Sequence, residues 1–175
     1  SAWIGISFCA ATGSAPTVPD VPGLAEVDPW TSRDATAVRD VPGRLAVVGG
    51  GVVGTEMATA FADLGSRVTL LVRGGRVLGG LEPFASEQVA AGLARLGVDV
   101  RTRTRVVRAT RVDAGGDGPG VRLLLDDGGT LDVDRVLLAT GRRPRTVDLG
   151  LESVGLAPGA PLEVDEAGRV AAVEG

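Results

Sequence analysis

The stretch RLAVVGGGVVGTEMATAF, residues 44–61, decides the fold of this chain. It opens with a continuous apolar run at 44–50, which is typical of a parallel strand buried on both faces. Glycines follow in a GxGxxG pattern at positions 49, 51 and 54. Apolar residues then recur at helical spacing up to Gly65, which stands where a C-terminal cap belongs. These residues are Val53, Met57, Ala60, Phe61 and Leu64. The stretch therefore predicts a strand, a tight glycine turn and a helix.

The sequence after this helix repeats the alternation of strand and helix. Residues 67–72 form a second apolar run, and a third strand is expected at 98–102. Between them, a helix is expected to begin at Pro83 and to end at Gly97. Its apolar face carries Val89, Leu93 and Leu96. Strands that alternate with helices in this way predict a doubly wound parallel sheet.

The sequence before residue 44 is less regular. A short buried strand is expected at 5–11, and the prolines between 16 and 29 then exclude regular structure up to about Trp30. Thr31 or Ser32 offers the N-cap of a short helix that ends before Val41.

An antiparallel meander is expected before the last buried strand. Residues 104–112, 119–126 and 130–134 alternate apolar and polar side chains and are separated by hairpin-type turns. The last parallel strand follows at 135–140, and a short hairpin is expected at 163–170. The predicted fold is Rossmann-like α/β: a doubly wound parallel sheet with a three-stranded antiparallel meander inserted before its last strand.

The three glycines have the context that phosphate binding requires, with a strand before them and a helix after them. Gly49 permits the tight turn, Gly51 lets the backbone approach a diphosphate, and Gly54 lets helix and strand pack closely. The diphosphate would lie at the helix N-terminus, where unpaired N–H groups favour an anion. The alternative is a glycine-rich turn without a ligand.

The end of the second strand indicates which dinucleotide would bind. An acidic residue about 20 positions past the glycines would bond the ribose hydroxyls of NAD. Here Val72 occupies that position, and Arg73 and Arg76 follow. Because an arginine fork suits a 2'-phosphate, NADP(H) is favoured. Gly54 mildly favours NAD, and the alternative for both arginines is a solvated surface.

Composition excludes several classes of function. The net charge is −4, with 18 basic residues against 22 acidic ones, which gives no electrostatic footprint for nucleic acid. There is no histidine, and Cys9 is the single cysteine, which excludes histidine-based nucleophile systems, a paired-thiol centre and a cysteine-based zinc site. We expect no metal site, no transmembrane segment and no membrane partner, since no apolar run approaches about 18 residues. A cytoplasmic location is expected by default.

Four segments carry a resemblance to a known family: ATGSAPTVP, TSRDAT, RLAVVGGGVVGTEMATAFADLGSRVTLLVRGGRVL and VLLATGRRPRTVDLGLESVGL. In this order they resemble the pyridine nucleotide-disulfide oxidoreductases, over essentially the whole chain. The resemblance implies an NAD(P)-binding domain at 29–140, inserted between FAD-domain remnants at 1–28 and 141–175. It also implies that Gly141 lies near the nicotinamide and that Glu56 faces flavin and nicotinamide. The alternative for Glu56 is a carboxylate that stabilises the first turn of its helix.

The predicted cofactor-binding set is Gly49, Gly51, Val52, Val53, Gly54, Glu56, Arg73, Arg76 and Gly141. Val52 stands where several family members place a tyrosine that covers the flavin. Glu56 is the only candidate for a catalytic role. The FAD fingerprint, the redox cysteine pair and the C-terminal histidine of the family are not found in the sequence. FAD is therefore expected only if another chain supplies the missing segments.

Three functions remain open at this point. The first is a truncated dinucleotide-binding region of an FAD-dependent NAD(P)H oxidoreductase, which binds NADP or NAD without turnover. The second is a natural short relative whose cleft carries out a non-redox reaction with a carboxylate such as Glu56. The third is an interaction module for a flavoprotein partner. A homodimer through the apolar terminal segments is also expected.

Overall fold

The computed structural model describes residues 11–116 and 118–170. It divides the chain into two compact units, Pro16–Gly141 and a second one formed from both ends of the chain. The first unit therefore begins 13 positions earlier than the dinucleotide-binding domain that the sequence places at 29–140. The predicted strand at 5–11 lies outside the described residues, except for Ala11, and so does Cys9. Most of the apolar terminal surface that is expected to form a dimer also lies outside them.

Nine strands and three α-helices make up the described chain. The helices are α1 (Ser32–Thr36), α2 (Val52–Asp63) and α3 (Pro83–Arg95). The strands are β1 (Ser14–Pro16), β2 (Arg44–Val48), β3 (Arg67–Val72), β4 (Asp99–Thr102), β5 (Val106–Gly116), β6 (Gly118–Leu125), β7 (Thr130–Val133), β8 (Arg135–Leu138) and β9 (Arg142–Pro144). None of the described helices is both long enough and apolar enough to cross a membrane.

A four-stranded parallel sheet in the order β4-β3-β2-β8 forms the centre of the first unit. Along β2 the side chains alternate between its two faces. Leu45 and Val47 pack with the helices, and Ala46 packs with the meander. Trp30 extends the sheet beyond β8 through hydrogen bonds to the backbone of Val136 and Leu138, each 2.8 Å long. The predicted Rossmann-like sheet with its inserted meander is confirmed.

Helices cover one face of this sheet. The helix α1 begins at N-cap Thr31, whose hydroxyl and backbone N–H both donate to the Asp34 carboxylate at 2.8 Å. The positive φ angles of Gly65 and Gly97, +97° and +78°, confirm these two glycines as the ends of α2 and α3.

The buried face of α2 differs from the predicted one. Val53 and Leu64 are 39% and 60% exposed, and Phe61 is the one residue of the predicted face that is fully buried. The other residues that face inward are small: Gly54, Thr55 and Ala58. The helix lies so close to the glycine turn that large side chains cannot fit between them, which apolar spacing does not reveal. In α3, Leu93 is buried as predicted, but Leu96 lies past the helix end and is 42% exposed.

The antiparallel sheet β5-β6-β7 covers the other face. Its hairpins follow the prediction, although β5 continues to Gly116 and so includes residues predicted as turn. Leu24 and Val27, from the connector before Trp30, are 1% and 6% exposed in the same core. The connector therefore lacks strands between Pro16 and Trp30 yet contributes to the core.

The second unit contains the two-stranded sheet of β1 and β9, which the sequence did not predict. Arg142 joins the strands, since its Nε donates to the Ser14 hydroxyl at 2.7 Å. A 3-10 helix, Leu151–Val154, follows. An antiparallel bridge between Val164 and Val170 agrees with the predicted hairpin at 163–170.

Candidate functional site

A cleft of about 680 Å³ opens at the carboxyl ends of the parallel strands, within the first unit. Ligands of open α/β sheets bind at this edge. Five segments contribute to its walls: the connector before Trp30, the glycine turn after β2, the loop after β3, the segment after β4 and the residues after β8. The lining residues are Thr17, Pro19, Val21, Leu24, Val48, Gly49, Gly50, Gly51, Leu71, Val72, Arg73, Gly74, Arg76, Gly79, Thr104, Arg105, Val106, Ala139, Thr140 and Gly141.

The three glycines of the motif are required for different physical reasons. Gly49 has φ +121°, and a Cβ there would lie 2.3 Å from the carbonyl oxygen of Ala139. A Cβ on Gly54 would lie 1.8 Å from the carbonyl oxygen of Gly49. A Cβ on Gly51 would meet nothing within 4 Å. Gly49 and Gly54 are therefore needed to build the turn, whereas Gly51 leaves open space at the cleft.

That open space lies at the N-terminus of α2, for which Gly51 is the N-cap. A glycine cap offers no side chain to the first N–H groups of the helix, and the first turn of α2 carries no acidic residue. The hydroxyl of Thr55 is directed to the carbonyl oxygens of Gly51 and Val52, at 3.1 and 2.9 Å. The first-turn N–H groups lack intrahelical acceptors and so remain available to an anion.

The loop after β3 folds back on the glycine turn. The N–H of Leu78, a residue with φ +49°, donates to the carbonyl oxygen of Gly50 at 2.6 Å. One nitrogen of Arg76 donates to the carbonyl oxygens of Gly79 and Leu81, at 3.1 and 3.0 Å. Arg76 lines the cleft, but this nitrogen is already occupied in closing the loop.

Arg73, unlike Arg76, has no hydrogen-bond partner among the described residues. Its side chain is exposed at the cleft and has no hydrogen bond or ion pair to any described residue. It directly follows the buried end of β3, where Val72 is 4% exposed. A guanidinium in this position keeps all its donors for a ligand.

The segment after β4 forms a wall that the sequence reasoning missed. The N–H of Arg103 donates to the carbonyl oxygen of Gly74 at 2.8 Å, and the N–H of Thr104 donates to that of Val72 at 3.1 Å. These bonds carry the chain across the end of β3 and bring Thr104 and Arg105 to the cleft. The sequence carried no direct signal for this wall, because the residue that follows the third predicted strand as Arg73 follows the second is Arg103, which does not line the cleft.

The remaining wall joins two distant parts of the chain. The Thr140 hydroxyl donates to the carbonyl oxygen of Thr17 at 2.6 Å, and the Thr17 N–H donates to that of Gly141 at 3.0 Å. Gly141 has φ +116°, and a Cβ there would meet nothing within 4 Å. Thr17 and Thr140 were not predicted as site residues, since their proximity depends on this pairing.

The structure brings together part of the predicted binding set. Gly49, Gly51, Arg73, Arg76 and Gly141 all line the cleft. Four others do not: Val52, Val53, Gly54 and Glu56. Gly54 packs against the backbone of Gly49 in the glycine turn. Val52, Val53 and Glu56 are exposed on α2. Glu56 is the fifth residue of that helix, so it does not stabilise the first turn.

The charge of the cleft is positive. Arg73, Arg76 and Arg105 line it, and none of the described aspartates and glutamates is among its lining residues. The described part of the chain holds no cluster of acidic or sulfur side chains that would suit a metal ion. The cleft therefore has the electrostatics of a site for an anionic ligand.

The resolved carboxylate pKa shifts belong to ion pairs and a helix cap outside the cleft. Burial raises the pKa of Asp134, but hydrogen bonds from Arg44 outweigh burial and hold it below the ordinary value. The Arg44 Nη2 lies 2.6 Å from Oδ1, and the Arg44 N–H lies 2.7 Å from Oδ2. Hydrogen bonds from Arg122 similarly lower the pKa of Asp132. These pairs hold neighbouring segments together and do not mark a reactive group.

The family model described as pyridine nucleotide-disulphide oxidoreductase matches residues 8–175. The chain belongs to this family. It is 44% identical over 158 residues to a mercuric reductase of Streptomyces lividans, covering 90% of this chain and 32% of that protein. It is 39% identical over 166 residues to a dihydrolipoyl dehydrogenase of Staphylococcus aureus, covering 91% and 34%.

A solved structure shares the fold of this chain. The crystal structure of LpdA from Mycobacterium tuberculosis aligns with a TM-score of 0.76 at 31% identity, covering 91% of this chain and 34% of that one. The chain thus spans about a third of the length of these relatives. The family resemblance predicted from the ATG segments and the glycine motif is confirmed.

Proposed function

We propose that the cleft binds a pyridine dinucleotide and prefers NADP(H) to NAD(H). The observation that carries this proposal is the pairing of an open helix N-terminus at Gly51 with an unpartnered arginine, Arg73, at the end of the next strand. The first-turn N–H groups of α2 would hold the diphosphate. Arg73 would hold the 2'-phosphate through its planar fork of donors.

The dimensions and chemistry of the cleft support such a ligand. Its volume of about 680 Å³ falls in the range of small-molecule sites, about 300 to 1,000 Å³. Val21, Leu24 and Val106 give it apolar surface, and the arginines give it positive charge. An amphipathic, polyanionic dinucleotide matches both properties.

In the same proposal, this chain acts as the NAD(P)-binding region of an FAD-dependent oxidoreductase. The nicotinamide supplies a hydride when it is bound. Residues of this chain bind and orient the dinucleotide, and Gly141 leaves open backbone near the reactive end. With a single cysteine, the chain has no thiol pair of its own for disulfide reduction, so it binds without turnover.

Calorimetric titration with NADPH and NADH tests the preference. We expect tighter binding of NADPH, and Arg73→Ala should weaken NADPH binding by about 1 to 3 kcal/mol, as for a lost charged hydrogen bond. Arg67→Ala is the matched control, because Arg67 is exposed at the opposite end of β3 and does not line the cleft. Equal affinities for the two cofactors would refute the NADP preference. Absence of binding to either would refute the dinucleotide site.

Absorbance spectroscopy and a turnover assay test the redox part of the proposal. The purified chain should be colourless and should neither oxidise NADPH with oxygen nor reduce a disulfide substrate. A yellow preparation with bound FAD, or measurable turnover, would contradict it.

A further inference from the structure

We propose that Arg105 is a second residue that determines specificity for the 2'-phosphate, acting together with Arg73 from the adjacent strand. This inference rests on the proposed function. It assigns the adenosine end of the cleft to two segments of the chain, the loop after β3 and the segment after β4. The ligand group is a phosphate monoester on the adenosine ribose.

The backbone places Arg105 beside Arg73. The strands β3 and β4 are parallel neighbours in which Val72 pairs with Thr102. At Arg103 the backbone adopts φ +53° and leaves the strand direction. The hydrogen bond from the Thr104 N–H to the Val72 carbonyl oxygen then fixes the residue before Arg105 against the residue before Arg73. Both arginines line the same cleft.

The main chain of Arg105 is held firmly while its guanidinium is free. Its N–H donates to Oδ1 of Asp126 at 2.9 Å, and the Asp126 N–H donates to its carbonyl oxygen at 3.0 Å. The Asp126 carboxylate thus accepts a hydrogen bond from the backbone of Arg105 and not from its guanidinium. The guanidinium itself has no hydrogen bond or ion pair to any residue that the structure describes. Because the backbone of Arg105 is already fixed, binding an anion would order only its side chain.

Of the neighbouring arginines Arg101 and Arg103, only Arg101 has a side-chain hydrogen bond to a described residue. The Nε of Arg101 donates to the Asp99 carboxylate at 2.8 Å. The guanidinium of Arg103 lies against Gly75, 3.8 Å from where a Cβ on that glycine would be. Neither Arg101 nor Arg103 lines the cleft. Of the three arginines in this segment, Arg105 alone lines the cleft.

A phosphate dianion binds more tightly to two cations than to one. NADPH differs from NADH by this single group, which carries close to two negative charges at pH 7. Arg73 and Arg105 together can neutralise it, and each guanidinium can donate more than one hydrogen bond. None of the described carboxylates lines the cleft, which leaves both cations available. Loss of Arg105 should therefore act on the phosphate and not on the rest of the dinucleotide.

The test measures dissociation constants for NADPH, NADH and the fragment 2',5'-ADP in four proteins: the parent, Arg105→Ala, Arg73→Ala and the double variant. Arg105→Ala should weaken NADPH and 2',5'-ADP by about tenfold or more, with NADH affected by less than about threefold. The double variant should bind NADPH no better than NADH. Arg108→Ala is the matched control, because Arg108 is an exposed arginine that does not line the cleft.

The outcomes separate this inference from the proposed function. If the parent prefers NADPH but Arg105→Ala leaves that preference intact, Arg105 does not contact the 2'-phosphate and the inference is overturned. An equal loss of NADPH and NADH would also overturn it, since this would indicate a general effect on the cleft. If Arg73→Ala alone removes the entire preference, Arg105 has no share in it. Failure of the parent to bind any dinucleotide would instead refute the proposed function.

Discussion

Replacement of Gly54 by alanine tests the packing on which the glycine turn depends. Gly54 is buried in the first turn of α2, and a Cβ there would lie 1.8 Å from the carbonyl oxygen of Gly49 and 2.9 Å from its carbonyl carbon. Both are backbone atoms, so neither can rotate away. The helix would have to move outward by more than about 1 Å to reach a normal contact in a close-packed interior. Ala58 and Phe61, buried on the same face of α2, would move with it.

Two effects of opposite sign compete in this variant. In an open helix, Gly→Ala would stabilise the fold by about 1 kcal/mol through helix propensity. Overpacking of a close-packed site typically costs about 1 to 3 kcal/mol, occasionally more. Because the overlap of the new Cβ with backbone atoms would be severe, we expect a net loss of about 1 to 3 kcal/mol in the free energy of unfolding.

Urea denaturation followed by circular dichroism measures this change. Gly51→Ala is the matched control, because Gly51 has φ −82° and a Cβ there meets no atom within 4 Å. The control should cost no more than about 1 kcal/mol, since alanine is a poorer N-cap than glycine, although it fills space at the cleft. A Gly54→Ala protein as stable as the parent, or more stable, would refute the packing argument.

Two further predictions concern Arg44, Asp134 and Arg76. Asp134→Asn should destabilise the fold by about 1 kcal/mol at neutral pH, since the ion pair with Arg44 is partly exposed. Because the folded-state pKa of Asp134 lies below its ordinary value of 3.8, its contribution is present above that value and is lost as pH falls through the folded pKa. Denaturation at several pH values should therefore show parent and variant converging in acid, and a constant gap would count against this assignment. Arg76→Ala should weaken NADPH and NADH by the same factor, about fivefold, because it removes hydrogen bonds that close the loop; titration showing a loss confined to NADPH would instead assign Arg76 to the 2'-phosphate.

The sequence by itself determined the order and type of most elements of the first unit. These elements could be predicted because they depend on local periodicity, which is visible in the sequence itself. They include the apolar runs at 44–50 and 67–72, the helical spacing between them and the hairpin turns. The glycine motif could also be recognised from the sequence, since its spacing and its position after a strand are local features. Terminal caps at Thr31, Gly65 and Gly97 followed from residue chemistry at the helix ends.

Tertiary structure alone decided which face of α2 is buried. Spacing indicated Val53 and Leu64, but the close approach of helix and glycine turn selects small side chains such as Gly54 and Ala58. The two-stranded sheet of β1 and β9 likewise pairs residues more than 120 positions apart, and neither strand is long enough to produce a periodic signal.

The composition of the cleft was also decided by tertiary structure. The sequence found Gly49, Gly51 and Arg73 because they follow a motif, but it missed Thr17, Thr140 and Arg105. These residues reach the cleft through hydrogen bonds between segments that are distant in sequence, such as Thr140 to Thr17. Local sequence determines whether each segment forms a strand, a helix or a turn. The pairing of distant segments then determines which side chains lie together in the cleft. For that reason the glycine turn could be predicted, while the place of Arg105 in the cleft required the folded chain.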